Sequence, residues 1–130
     1  MPDFPSEMQL LSLFECEPEL SEDTEEIPNY YKEAVYRYTN REEDFVVAIS
    51  PALEEVRIQV SKSDSGRMVS LLNLKRISNF KIIADQKDHS SILLITESVE
   101  SEIIVQVDFK PYFRQIVKEE FSNQHNTTPG

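Results

Sequence analysis

Residues able to do metal or acid–base chemistry meet at one place in the sequence, where a histidine lies beside carboxylates. Asp85, Asp88 and His89 could offer oxygen and imidazole ligands to a divalent metal, or a His–Asp pair for proton transfer. Lys87 lies inside this cluster and repels a cation, and no second His or Cys is close in sequence. Residues that favour turns make up the rest of the stretch. We therefore interpret 85–91 as a solvated hairpin loop, with a metal or catalytic site as the alternative.

Other catalytic and cofactor motifs are missing from the sequence. No Gly-x-Ser-x-Gly elbow presents a serine nucleophile, and only His89 and His125 could activate one. The chain has two glycines, too few for a Gly-rich loop that holds a phosphate or a dinucleotide. A single cysteine, Cys16, excludes an internal disulfide and is typical of a reducing compartment. We expect a protein that is not an enzyme and needs no cofactor.

Charge is distributed unevenly along the 130 residues. The chain carries 24 Asp and Glu against 13 Lys and Arg, a formal net charge of −11, which argues against a nucleic-acid ligand. Residues 1–31 hold nine of the acids and no Lys or Arg, so most of the net charge lies there. Four prolines interrupt the same stretch. We expect an acidic N-terminal arm over 1–31, extended except for one short helix.

The short helix is predicted over 6–14. Ser6 and Gln9 match a capping box, and apolar residues follow at helical spacing. One face of this helix could dock on the chain's own core or enter a groove on a partner protein. The acids that follow could contact a basic partner. The candidate partner-binding residues of the arm are Met8, Leu11, Phe14, Glu17, Glu19, Glu22, Asp23, Glu25 and Glu26.

Tyr36 and Tyr38 are a second candidate for partner binding, within the densest aromatic stretch of the chain. Strand alternation places both on one face, on either side of Arg37. The simpler interpretation is that this face packs in the core. The alternative is an exposed aromatic ridge, since aromatic side chains carry much of the binding energy of protein interfaces.

Residues 32–123 predict a β-rich domain. Val56, Ile58 and Val60 alternate with polar residues, which is the pattern of a strand with one buried face. Connections too short for a parallel crossover favour antiparallel neighbours. Six further strands are predicted over 34–38, 45–49, 68–72, 80–84, 92–95 and 103–109.

A C-terminal helix is predicted over 111–122, because Pro111 can begin a helix and apolar residues follow at helical spacing. These residues are Phe113, Ile116, Val117 and Phe121. The helix would cover one face of the sheet, and 124–130 would form a tail. The predicted class is therefore α+β, an antiparallel meander of about seven strands closed by a C-terminal helix.

Seven strands and a closing helix resemble the pleckstrin-homology-like barrel. Lipid-binding members of that family need basic residues in the connection after the first strand, whereas residues 40–44 are acidic on balance. The resemblance therefore implies a barrel fold without phosphoinositide binding.

The expected function follows from charge and size. The sequence has neither a membrane-spanning apolar run nor a signal-peptide pattern, so we expect a soluble, cytoplasmic protein. The leading hypothesis is a small, acidic, non-catalytic module that binds a basic protein, with no nucleic acid or membrane as partner. Two alternatives remain open: an immunity or inhibitor protein that blocks a cationic toxin or nuclease, and a chaperone-like homodimer.

Overall fold

The computed structural model describes residues 3–20 and 33–121. Within them the chain is mostly antiparallel β-sheet with one short helix near the N-terminus. A 3₁₀ turn at Pro51–Leu53 separates two of the strands. In chain order the elements are α1 (Glu7–Phe14), β1 (Glu19–Leu20), β2 (Ala34–Thr39), β3 (Glu43–Ser50), β4 (Glu55–Lys62), β5 (Met68–Leu74), β6 (Ile77–Gln86), β7 (His89–Glu97), β8 (Ser101–Lys110) and β9 (Arg114–Phe121).

The described strands form two sheets in which every strand pairs with its neighbour in sequence. The first sheet has the order β1-β2-β3-β4-β5, and the second has the order β6-β7-β8-β9. The chain turns from one sheet to the other at Arg76, which has a left-handed φ of 61°. The Ile77 N–H then donates to the Glu54 carbonyl at 2.9 Å, which ties the start of β6 to the start of β4.

One apolar core joins the two sheets. Val56, Ile58 and Val60 on β4 are each at most 1% exposed, and the register predicted for this strand is confirmed. In the same cluster, β7 contributes Ile92 and Leu94, both fully buried. Alternation along each strand sends these side chains to one face, where burial of their apolar surface stabilises the fold. All seven predicted strands lie within β2–β8.

The predicted C-terminal helix is wrong. Residues 114–121 form strand β9, which pairs antiparallel with β8 from Asp108↔Arg114 to Ser101↔Phe121. Ile116 and Val117 lie opposite Gln106 and Val105, so they point to opposite faces and cannot form one apolar stripe. Their spacing fits a helix, but β-branched side chains and the open edge of β8 favour a strand. Without this helix, the predicted α+β class is also wrong. The count of seven strands plus a helix, on which the resemblance to a pleckstrin-homology-like barrel rested, is wrong for the same reason.

The predicted N-terminal helix is present as α1. The Gln9 N–H donates to the Ser6 hydroxyl at 3.1 Å, and the Ser6 N–H donates to the Gln9 side-chain carbonyl at 2.8 Å, so the capping box is formed. Leu10, Leu13 and Phe14 are buried in the common core, and the helix contacts both β2 and β6. Within the described ranges, this helix is too short to cross a membrane, and no longer helix occurs.

Candidate protein-binding site

The histidine–carboxylate cluster lies at the tight turn between β6 and β7. Asp85, Asp88 and His89 are all exposed there. Asp85 accepts a hydrogen bond of 2.6 Å from the Ser12 hydroxyl on α1, so its contact is with the chain itself. Among residues 3–20 and 33–121, no three His, Cys, Asp or Glu side chains are grouped closely enough to hold a metal ion.

The two candidate tyrosines lie in an aromatic cluster beneath α1. Tyr36 is 1% exposed and Tyr38 is 9% exposed. The Phe14 ring lies 5.0 Å from Tyr36 and 5.3 Å from Phe109, centroid to centroid. Burial raises the pKa of both tyrosines above the usual value, so both phenols stay protonated at neutral pH. The structure thus places these side chains in the core, and a role in partner binding stays a prediction.

The structure separates the three apolar residues of α1 that were predicted to bind a partner. Phe14 is buried, whereas Met8 is 74% exposed and Leu11 is 36% exposed. Leu10 and Leu13 occupy the buried face together with Phe14. Met8 and Leu11 therefore remain accessible to a partner while the helix itself is packed on the core.

The acidic residues of the arm fall into two groups. Glu17 and Glu19 are exposed, and Glu19 forms an ion pair of 3.4 Å with Arg37 on β2. The side chains of this pair are both more than half exposed, so solvent screens it strongly. The remaining predicted residues, Glu22, Asp23, Glu25 and Glu26, lie outside the described residues.

A cavity of about 580 Å³ opens beside Tyr38 and Tyr112, with Arg41, Lys87 and Lys110 among its lining residues. Lys110 donates to the Glu15 carboxylate at 3.0 Å and to the carbonyls of Gln86 and Lys87 at 3.3 Å. Burial disfavours its ammonium, but the bond to Glu15 outweighs this and holds the pKa of Lys110 above its ordinary value. Lys110 is therefore engaged by the protein itself.

The structure reveals an apolar surface that sequence reasoning missed, on the outer face of the second sheet. On β7, Ile92 and Leu94 point into the core, so Leu93 and Ile95 point outward. The register places Ile104 opposite Ile95, and Gln106 lies between Leu93 and Ile116. All four apolar side chains are half-buried. The signal was present as the unbroken apolar run 92–95 and as Ile104, which departs from the alternation of its strand.

A row of glutamates borders this surface at one end. Glu97, Glu102 and Glu120 lie directly opposite one another across β7, β8 and β9. Because side chains alternate between faces along a strand, all three glutamates lie on the same outer face as Ile95 and Ile104. We call the four apolar residues and the three glutamates together the outer patch: Leu93, Ile95, Ile104, Ile116, Glu97, Glu102 and Glu120.

The comparison with known proteins identifies one similar structure. No protein-family model matches the sequence, and no curated protein matches it. A chain of a contact-dependent growth inhibition toxin–immunity protein complex from Klebsiella pneumoniae 342 matches with a TM-score of 0.71 at 16% sequence identity. The match covers 91% of this chain and 96% of that chain. At this identity, the likeness shows a shared fold.

Proposed function

We propose that this chain is an immunity protein, a non-catalytic module that binds a cationic toxin and blocks its active surface. The observation that carries the proposal is the shared fold, which extends over 91% of this chain and belongs to a protein found in a toxin–immunity protein complex. Because fold alone does not determine function, charge and chemistry must supply the rest.

Net charge favours the immunity component over the toxin component. A net charge of −11 opposes binding to nucleic acids and to other anionic targets. The same charge attracts a cationic protein over long range and speeds its association. Carboxylates on such a surface can occupy the positions that phosphate groups would take on a toxin that cleaves nucleic acid.

The arrangement of reactive side chains also favours a binding protein. His89 is exposed at a turn, and the Cys16 thiol donates to the Arg37 carbonyl at 3.2 Å. Neither residue stands in a nucleophile–base–orienting-group arrangement within the described ranges, and such an arrangement is what covalent catalysis requires.

A homodimer is the second candidate function, favoured by the apolar centre of the outer patch. An apolar seam between two copies would hold or tighten at high salt, whereas electrostatic attraction to a toxin weakens. Sedimentation of the purified chain at low and high salt separates the two, because an immunity protein needs no self-association.

Co-expression tests the proposal. Each polypeptide encoded by a gene adjoining that of this chain is produced alone and together with it, and growth of the host cells is recorded. We expect one of these polypeptides to arrest growth, the chain to restore growth, and the purified pair to co-elute on gel filtration. The proposal is overturned if no adjoining product is toxic, or if toxicity persists in the presence of the chain.

A further inference from the structure

We propose that the outer patch is the surface on which the toxin docks, an inference that rests on the proposed function. The occupant is a toxin surface that presents apolar side chains next to lysines or arginines. Two features of the patch support this assignment: its apolar centre and the like charges at its border.

The apolar centre is unusual for a sheet face that meets water. Antiparallel sheets commonly bury one face and expose polar residues on the other. Strand β4, internal to the first sheet, follows this rule, since Arg57 and Gln59 point outward, although Val46 on β3 and Leu71 on β5 share that outer face. Strand β7, internal to the second sheet, presents Leu93 and Ile95 instead. A strand that is apolar on both faces is typical of one that is covered on both faces.

The glutamate row is unfavourable for the isolated chain. Like charges directly opposite one another across strands destabilise a sheet. Glu102 has such a neighbour on each side, Glu97 on β7 and Glu120 on β9. In residues 3–20 and 33–121, no ion pair neutralises any of the three. Three neighbouring carboxylates are therefore available for cations that a partner would supply.

The apolar centre and the glutamate row together fit one kind of partner. Stable protein interfaces combine an apolar centre with a polar rim, and the outer patch has this layout with an acidic border at one end. A cationic toxin would place lysines or arginines over the glutamate row and apolar side chains over Ile95 and Ile104. Lys81 and Lys118 flank the apolar centre on the outer strands and would meet acids of the same partner.

The test compares matched substitutions on and off the outer patch. Glu102→Lys reverses the central charge of the row, and Asp64→Lys makes the same charge change at the exposed turn between β4 and β5. Ile104→Gln removes an apolar centre residue, and Val46→Gln makes a similar change on the outer face of β3, where Val46 is half-buried. The probe is the adjoining-gene polypeptide whose toxicity the chain relieves, with affinity measured by titration calorimetry.

We expect Glu102→Lys and Ile104→Gln each to weaken binding by about 10-fold or more, and the two control variants by less than about 2-fold. Glu102→Lys should leave the melting temperature unchanged or raise it, because the new lysine pairs with Glu97 and Glu120. Loss of binding without loss of stability separates docking from a structural role.

Three results would overturn the inference. If protection occurs and all four variants bind like the unmodified chain, the toxin docks elsewhere and the proposed function stands. If the chain dimerises and Ile104→Gln makes it monomeric, a second copy covers the patch. If the chain protects against no adjoining toxin, the partner proposed for the outer patch does not exist, and both proposals fail.

Discussion

Arg114 on β9 donates to the buried carboxylate of Asp108 on β8, with 2.9 Å between Nε and Oδ2, and the two residues lie directly opposite in the sheet. Asp108 is 6% exposed although it faces outward. Its other oxygen accepts from the Ser91 hydroxyl at 2.7 Å and from the Gln106 amide at 3.0 Å. One carboxylate thus links three strands of the second sheet.

This network predicts a stability change that depends on pH. Burial opposes the charged form of Asp108, but hydrogen bonds from Ser91, Gln106 and Arg114 outweigh it and hold its pKa below the ordinary value. A lowered pKa contributes stability above the ordinary value of 3.8, and this contribution is lost as pH falls through the folded-state pKa.

Asp108→Asn should therefore lower the free energy of unfolding by about 1–3 kcal/mol at neutral pH. The difference from the unmodified chain should shrink in acid, as measured by urea denaturation at several pH values. Asp64→Asn, at an exposed turn, is the control. An equal difference at every pH would show that the charge of Asp108 has no part in the effect.

Lys110 should stabilise the junction between α1 and the second sheet. Its side chain is 13% exposed, whereas that of its partner Glu15 is 62% exposed. Lys110→Met removes the donor from two carbonyls and should cost about 1–2 kcal/mol, while Glu15→Gln should cost less than about 1 kcal/mol because solvent screens that pair.

The pKa of Lys110 is held above its ordinary value of 10.5, so its contribution is complete below that value and is lost as pH rises through the folded-state pKa. Thermal melts of Lys110→Met and Glu15→Gln show which substitution costs more stability, with Lys118→Met as the control. A larger loss in Glu15→Gln than in Lys110→Met would contradict the assignment.

The buried face of α1 should be essential to folding. Phe14 contacts Tyr36, Tyr38 and Phe109 and is 2% exposed, so Phe14→Ala should cost about 3–5 kcal/mol. Met8→Ala, on the exposed face, should change stability by less than about 0.5 kcal/mol. Chemical denaturation compares the two. Similar small losses in both variants would mean that α1 is an appendage to the core.

The acids of the arm should speed association with the toxin and leave fold stability unchanged. Replacing five of these acids by their neutral amides changes the net charge from −11 to −6. Glu15 and Glu19 are left in place because they pair with Lys110 and Arg37. The association rate constant should fall by about 10-fold at low salt and much less at high salt. The substituted residues are Glu17, Glu22, Asp23, Glu25 and Glu26.

Stopped-flow mixing with the toxin measures this rate, and a melting curve shows whether folding is affected. A variant that associates as fast as the unmodified chain at low salt would exclude a steering role. A variant with a lowered melting temperature would instead make these acids part of the fold.

Sequence periodicity was sufficient for the central strands and for α1. The alternation at Val56, Ile58 and Val60 specifies the buried face of β4, and the Ser6–Gln9 capping box specifies where α1 begins. Both signals are local, so they need no knowledge of the rest of the chain.

Periodicity failed where tertiary pairing decides the structure. β9 is an edge strand with little burial, so its apolar residues need not alternate, and their spacing suited a helix equally well. The outer patch combines residues from three strands, and its glutamate row exists only through the register of β7, β8 and β9. The burial of Tyr36 and Tyr38 agrees with the simpler interpretation of their strand, and only the contact with Phe14 depends on where α1 docks.

The measurement that tests the proposed immunity function most directly is the dissociation constant between this chain and a growth-arresting polypeptide encoded by an adjoining gene, determined by titration calorimetry across a range of salt concentrations. We expect binding in the nanomolar range at low salt, weakening as salt rises, because carboxylates meet cations at the interface. Absence of binding at every salt concentration would contradict the proposed function. Affinity that is unchanged or increased by salt would contradict the electrostatic basis given for it.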